Sequence, residues 1–215
     1  MSGKRTTLVA VLLLALTGCQ GVLDGQLPTS SSPQQPPAAN SGQAGEQLAG
    51  LAIAPEAKMA GYSRDRFPHW AGQGDSCDTR EVVLRQQGAG VQTDGECKAT
   101  SGTWVSAYDG VEVTKAGDLD IDHTVPLAEA WRSGADKWDD EKRKAFANDL
   151  GGVQLIAVTA KTNRAKGDQD PAKWMPPKAD YACTYVAHWI QVKAQYALTV
   201  DQAEHDALAG VLAKC

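Results

Sequence analysis

The sequence has no Cys-x-x-Cys pair, no excess of basic residues, no internal repeat and, beyond its first twenty residues, no long apolar run. Without Cys-x-x-Cys spacing, the cysteines do not read as a structural zinc site. Lys and Arg number 21 against 26 Asp and Glu, for a formal net charge of −5 and a pI near 5.3. That balance argues against a protein that coats nucleic acid at large, while leaving room for a local basic cleft. With no second long apolar stretch, nothing downstream reads as a membrane span. Strand and helix patterns are mixed without βαβ alternation, which points to an α+β fold.

What is present begins with a leader. Lys4 and Arg5 precede the apolar run 8–16, which is followed by Leu16, Thr17, Gly18 and Cys19. Residues 1–18 read as a signal peptide. Leu16, Thr17, Gly18 and Cys19 resemble a bacterial lipobox, which implies cleavage before Cys19 and a lipid on its sulfur. Loss of Lys4 and Arg5 would take the side-chain charge from −5 to about −7. Residues 19–50 then form a lipidated Cys19 and a tether rich in Pro, Ser, Gln and Gly, too poor in large apolar side chains to order itself. The expected location is the extracellular face of the cell membrane, or the medium. Residues 51–215 are the expected domain. With Cys19 lipidated, four of the five cysteines remain, and an even number in an exported chain favours disulfides. Of three possible connectivities, Cys77–Cys97 and Cys183–Cys215 join the sequence-local segments.

Within the domain, 51–70 reads as a short helix and then a loop, and 81–87 as a short strand or helix. Residues 102–114 read as two short strands about a turn at Asp109-Gly110, and 118–123 as a strand. Helical spacing over 135–149 puts Trp138, Ala145 and Phe146 on one side. An apolar β-type run over 152–158 leads into a helix at 159–166 with Thr159 as N-cap. Two more helical patterns cover 179–197 and 199–213, the second opening with a Thr199/Gln202 capping box.

Asp122 and His123 stand side by side where the strand ends before Pro126. On a strand, neighbours face opposite ways, so the pair can serve one point only where the chain bends or stops. Strand, strand and helix follow in order, and the helix carries Asn163. If the hairpin packs on the helix, Asp122 and Asn163 can offer a carboxylate and an amide oxygen to a hard divalent cation. A neutral imidazole beside that cation can take a proton from water, and the hydroxide can attack phosphorus.

The stretches DIDHTVPLAEAW and QLIAVTAKTNRAKGDQDPAKWMPP resemble the HNH (ββα-metal, His-Me finger) endonucleases. The closer similarity is to secreted relatives of the GmrSD restriction-enzyme C-terminal domain. The likeness extends to FPHW, CDTREVVL, GTWVSAYDG and YACTYVAHWIQVK, about residues 60–215. It implies a ββα-metal core with added helices and short strands, stapled by disulfides. It implies Asp122 and Asn163 as metal ligands, His123 as general base and Lys166 near the phosphate. The family's middle Asn, which orients the base, falls on Gln154, with Asn148 as a competing candidate. The implied cofactor is a divalent metal, Mg²⁺ foremost, with Mn²⁺, Ca²⁺ or Zn²⁺ as alternatives. The implied partner is nucleic acid, DNA ahead of RNA, cut by a monomer held to the membrane only through its lipid.

Plainer readings stand beside these. Asp122-His123 can be a structural strand-end network, and Asn148 can simply end a helix before Gly151-Gly152. Lys161, Arg164, Lys166, Lys173 and Lys178 make a basic cluster that is either a solvated face or a phosphate contact. Arg80 can clamp phosphate or hold the fold together. His69 beside Trp70 reads as packed, His188 and Trp189 as core or half-buried, and His205 as surface. Trp104, Trp131, Trp138 and Trp174 read as core anchors. A non-catalytic surface module on the same scaffold, or a phosphodiesterase for a wall polymer or lipid head group, are the competing functions.

Overall fold

A computed structural model describes Gly3 and residues 40–215. The rest of the leader, Cys19 with its expected lipid, and the tether as far as residue 39 lie outside the described residues. The final ten residues assigned to the tether are instead helix α1 (Ser41–Gly50), capped by the Asn40 side chain. Ala44 and Leu48, one turn apart, are both buried in the main core. Two small apolar positions at helical spacing are enough when a partner surface exists, and composition alone does not show that partner. The helix expected early in 51–70 does not form; Ile53 makes an isolated bridge to Val200, and a 3₁₀ turn spans Arg64–Arg66.

The chain continues through β1 (Gly72–Gly74), β2 (Cys77–Asp78), α2 (Thr79–Gln87), β3 (Ala89–Thr93), β4 (Ala99–Val105), β5 (Glu112–Val113) and β6 (Leu119–His123). It ends with α3 (Leu127–Arg132), α4 (Asp140–Ala147), β7 (Leu155–Thr159), α5 (Ala160–Lys166), α6 (Ala182–Tyr196) and α7 (Gln202–Leu212). Among the described residues these strands form three antiparallel sheets, β1-β2, β3-β4-β5 and β6-β7. The ambiguous 81–87 segment is a helix because Asp78 and Glu81 close a reciprocal capping box at its start. In α7 the cap is Asp201, whose carboxylate accepts from Glu204 N–H, and not Thr199. Thr199 spends its backbone N–H and its hydroxyl on the Ser133 carbonyl.

The β6–β7 hairpin organises the interior. Its register pairs Leu119 with Thr159, Ile121 with Ala157, Asp122 with Ile156 and His123 with Leu155. Period-two alternation sends Leu119, Ile121, Leu155 and Ala157 into one apolar cluster with Leu84 and Trp104. It sends Ile156 and Val158 into the larger cluster built on α3, α4 and α6. Asp120 and Asp122 share that second face. Trp104 donates its indole N–H to the Leu84 carbonyl at 2.8 Å and lies so close to Gly88 that a Cβ there would fall 2.4 Å from the indole nitrogen.

Both expected disulfides are present, Cys77–Cys97 with Cα atoms 5.1 Å apart and Cys183–Cys215 at 5.8 Å. Among the expected anchors, Trp104 and Trp131 are buried, while Trp138 and Trp174 are half-buried against the main core. His188 and Trp189 are buried, and His205 is half-buried rather than on the open surface. No helix among the described residues is long and apolar enough to cross a membrane.

Candidate active site

Helix α5 starts where β7 ends, capped by the Thr159 hydroxyl, so its first turns lie against the hairpin. The Thr159 and Thr162 hydroxyls both donate to Asp109, which ties the β4–β5 turn to the same helix start. Asn163 and Lys166, three apart on α5, meet Asp120 and Asp122, two apart on β6. Asn163 Nδ2 donates to Asp120 Oδ2 at 3.1 Å. Lys166 Nζ lies 2.7 Å from Asp122 Oδ2 and 3.0 Å from Oδ1, and also donates to the His123 carbonyl at 2.9 Å. Tyr108 adds a hydroxyl to Asp122 Oδ2 at 2.6 Å. Burial pushes the Asp122 carboxyl up, against the opposing pull of Lys166 and Tyr108. Burial likewise holds the Lys166 ammonium down, against the pull of Asp122.

His123 sits on the last residue of β6 and faces the other way, as a strand neighbour must. Its Nε2 lies 2.9 Å from the Ala147 carbonyl. A carbonyl only accepts, so the neutral ring carries its proton on Nε2 and keeps a lone pair on Nδ1. Burial lowers its pKa to about 3, with Arg64 and Lys166 adding to the effect. The Trp70 ring stacks on the imidazole at 5.9 Å between centroids. Asp122, His123 and Asn163 all line one cavity of about 240 Å³, with Tyr62, Arg64, Arg164 and Asp168 on its walls. The strand stops at this cavity, which is how side chains from both of its faces reach one space.

The other sequence-derived candidates take different places. Lys166 is fully buried, and its ammonium is spent on Asp122 and the His123 carbonyl, so it does not stand on the cavity wall as a phosphate contact. Arg80 donates to the carbonyls of Ala116 and Leu119 at 3.0 Å each, holding the turn that leads into β6. Gln154 precedes β7, is fully buried, and bonds both the N–H and the carbonyl of Val125. It pins the backbone just after His123 rather than the ring. Asn148 ends α4, as its plainer reading held, but does more. Its Oδ1 accepts from Ala71 N–H and the Thr79 hydroxyl, and its Nδ2 donates to the Pro68 and Lys144 carbonyls. Asn148 therefore clamps the loop that carries Trp70. Lys173 pairs with Asp170 and Glu56, and Lys178 with Asp180, away from the cavity. Arg164 remains on its wall.

A hard divalent cation needs oxygen donors facing open space. Asp122 has three of its roughly four lone-pair directions taken by Lys166 and Tyr108. Asn163 Oδ1 accepts no hydrogen bond among the described residues. Asp122 and Asn163 could each offer one oxygen at the cavity wall to a divalent cation, which would compete with Lys166 for the Asp122 carboxylate. A second acidic group, Glu56, Glu129 and Asp170, is compensated by Arg132, Lys173 and Lys193.

Sequence reading missed Tyr108, which falls in the strand pattern just before the Asp109-Gly110 turn, and Arg64, which opens a short 3₁₀ turn in a segment with no pattern to mark it. Over residues 85–211 the sequence matches the family described as GmrSD restriction endonucleases, C-terminal domain. It is also 49% identical over 202 residues to a protein of Arthroderma benhamiae described as an uncharacterized secreted protein, covering 94% of this chain and 98% of the relative. No solved structure matches.

Proposed function

The chain belongs to the GmrSD restriction endonuclease C-terminal domain family, and on that premise we propose that it is a metal-dependent endonuclease of the HNH type. It hydrolyses phosphodiester bonds of nucleic acid, DNA ahead of RNA, outside the cytoplasm. The hairpin β6–β7 followed by α5 supplies the ββα order of such a core. The observation that carries the reading is the state of His123. Its Nε2–H is fixed on the Ala147 carbonyl, its Nδ1 keeps an unprotonated lone pair, and it lines the cavity that also holds Asp122 and Asn163.

His123 accepts the proton of the attacking water at Nδ1, and the Ala147 carbonyl steadies the imidazolium that forms. Trp70 and the Ala147 bond hold the ring in one orientation. Arg64 and Arg164 face the same space with positive charge suited to phosphate oxygens. Asp122 and Asn163 would hold a divalent cation, Mg²⁺ foremost. Such an ion, when bound, supplies charge neutralisation at the phosphoryl group. The secreted relative supports action outside the cell, and a lipid on Cys19 would keep the enzyme at the membrane face.

The test is plasmid and RNA cleavage by the oxidised chain, with and without Mg²⁺, Mn²⁺ or Ca²⁺, beside His123→Ala. Metal-dependent cutting lost in His123→Ala is the expected result; a folded wild type that cuts neither polymer sinks the reading. One observation favours a second reading, a non-catalytic metal- or partner-binding module: the Lys166 ammonium already neutralises Asp122. Metal binding without hydrolysis, unchanged in His123→Ala, would support it.

A further inference from the structure

We propose that Arg64 is a preset phosphate-binding arm of this site, held in place by His69 through the same loop that stacks Trp70 on His123. The inference rests on the nucleic-acid reading above and adds to it a binding residue from outside the matched family segment.

Arg64 opens the 3₁₀ turn Arg64–Arg66 and is exposed. It lines the cavity beside Asp122, His123 and Asn163, and has no carboxylate partner among the described residues. Its Nε donates to His69 Nε2 at 3.3 Å, while His69 Nδ1 lies 2.9 Å from the Phe67 carbonyl. Each bond fixes the other. The carbonyl requires a proton on Nδ1, which leaves Nε2 as the acceptor that Arg64 needs. With Nε tied down, the two terminal nitrogens of the guanidinium are left for a ligand, in the planar fork that matches phosphate oxygens.

The loop is built to hold this placement. Asn148 grips the Pro68 carbonyl and the Ala71 N–H on either side of His69 and Trp70. Trp70 has φ 59°, a left-handed conformation that a bulky residue adopts only when its surroundings enforce it. Its ring lies against His123 on one side and makes an edge contact with His69, 5.3 Å between centroids. One strained loop thus sets the base and the cationic arm in a common frame. Ordering Arg64 before binding removes part of the side-chain entropy that a free arginine would lose on contact.

The experiment measures binding without cutting. The full oxidised chain carrying His123→Ala is titrated against a labelled single-stranded oligonucleotide by fluorescence anisotropy across a salt series. Arg64→Ala, His69→Leu or His69→Gln is then added. Arg64→Ala should weaken binding about tenfold, as expected for one charge-assisted contact, and reduce the slope of log K against log salt by about one. His69→Leu keeps the charge, so it should weaken binding less and leave the salt slope unchanged. His69→Gln, which restores an acceptor, should recover most of that loss. Arg64→Ala with wild-type affinity and slope, or no binding of the oligonucleotide at all, overturns the arm. Equal binding by the His69 variants and their parent overturns the buttress. Arg64 is exposed, so its removal leaves the fold intact. Cleavage by the wild type is scored separately, so failure of the nuclease reading and failure of the arm give different results.

Discussion

The Lys166 ammonium lies 2.7 Å from Asp122 Oδ2, and both side chains are buried. A buried charge is tolerable because its partner is there. Lys166→Met should therefore cost about 3–5 kcal/mol by stranding the carboxylate, and Asp122→Asn should cost a similar amount by stranding the ammonium. The double variant should recover much of the loss, since an apolar and an amide side chain leave no isolated charge. Urea unfolding of the four proteins measures the coupling. A Lys166→Met midpoint equal to the wild type would mean that the pair does not hold α5 on β6.

Gln154 and Asn148 compete for one role in the sequence, and the structure gives them different work. Gln154→Ala leaves the buried Val125 N–H and carbonyl without partners, at about 1–3 kcal/mol. Asn148→Ala releases the loop 68–71 from α4 and α2, so Trp70 no longer holds the His123 ring. The expected outcome is a stability loss for Gln154→Ala with residual cutting well above His123→Ala. Asn148→Ala should lower turnover more than its stability loss explains. Chemical unfolding beside single-turnover cleavage separates the two. An undiminished stability with abolished cutting in Gln154→Ala would instead place Gln154 in the chemistry.

The elements that position the site were legible because their signals are local. The alternation over 118–123, the apolar run before Thr159 and the Thr159 cap are each set by neighbours in sequence, and the hairpin and α5 formed there. Lys166 was misplaced because its fate depends on a partner 44 residues away. A lysine on a helix beside a basic cluster looks solvated until the register of β6 puts Asp122 against it. Arg80 takes the structural one of its two readings, and the sequence left both open because the carbonyls it serves lie 36 and 39 residues on. Helix α1 was hidden by a composition typical of linkers, and its burial comes from docking on α6 and α7. The cysteine pairing was recoverable because sequence-near pairing left only one arrangement.

The Cys183–Cys215 bridge joins the start of α6 to the end of the chain across 32 residues. Closing a loop of that length restricts the unfolded chain by about 3–4 kcal/mol in the chain-entropy account. Cys183→Ser/Cys215→Ser should lose stability of that order and keep its cleavage activity while folded, because neither cysteine lines the cavity. Thermal unfolding with a cleavage assay below the transition checks both. Loss of cutting in protein that is still folded would show that α7 supports the site directly.

Glu204 and Glu129 both meet the Lys193 ammonium in the interior, at 2.9 and 2.8 Å. Two carboxylates share one cation, and Trp189 Nε1 donates to Glu204 as well. Burial lifts the Glu204 pKa from 4.5 to about 7; Lys193 opposes the rise and Glu129 adds to it. The folded protein then holds a proton that the unfolded chain has already released between those values. Under linkage, this contribution to stability is complete below about pH 4.5 and is lost as pH rises toward about 7. Glu204→Gln keeps one acceptor oxygen for the Lys193 and Trp189 donors and cannot ionise. Its stability should lack that decline and exceed the wild type at pH 8, with the two converging near pH 5. Denaturant midpoints at intervals between those values decide it. A wild type whose stability is flat over that range, or a Glu204→Gln variant weaker at pH 8, would mean that Glu204 is ionised throughout and that Lys193 carries both carboxylates.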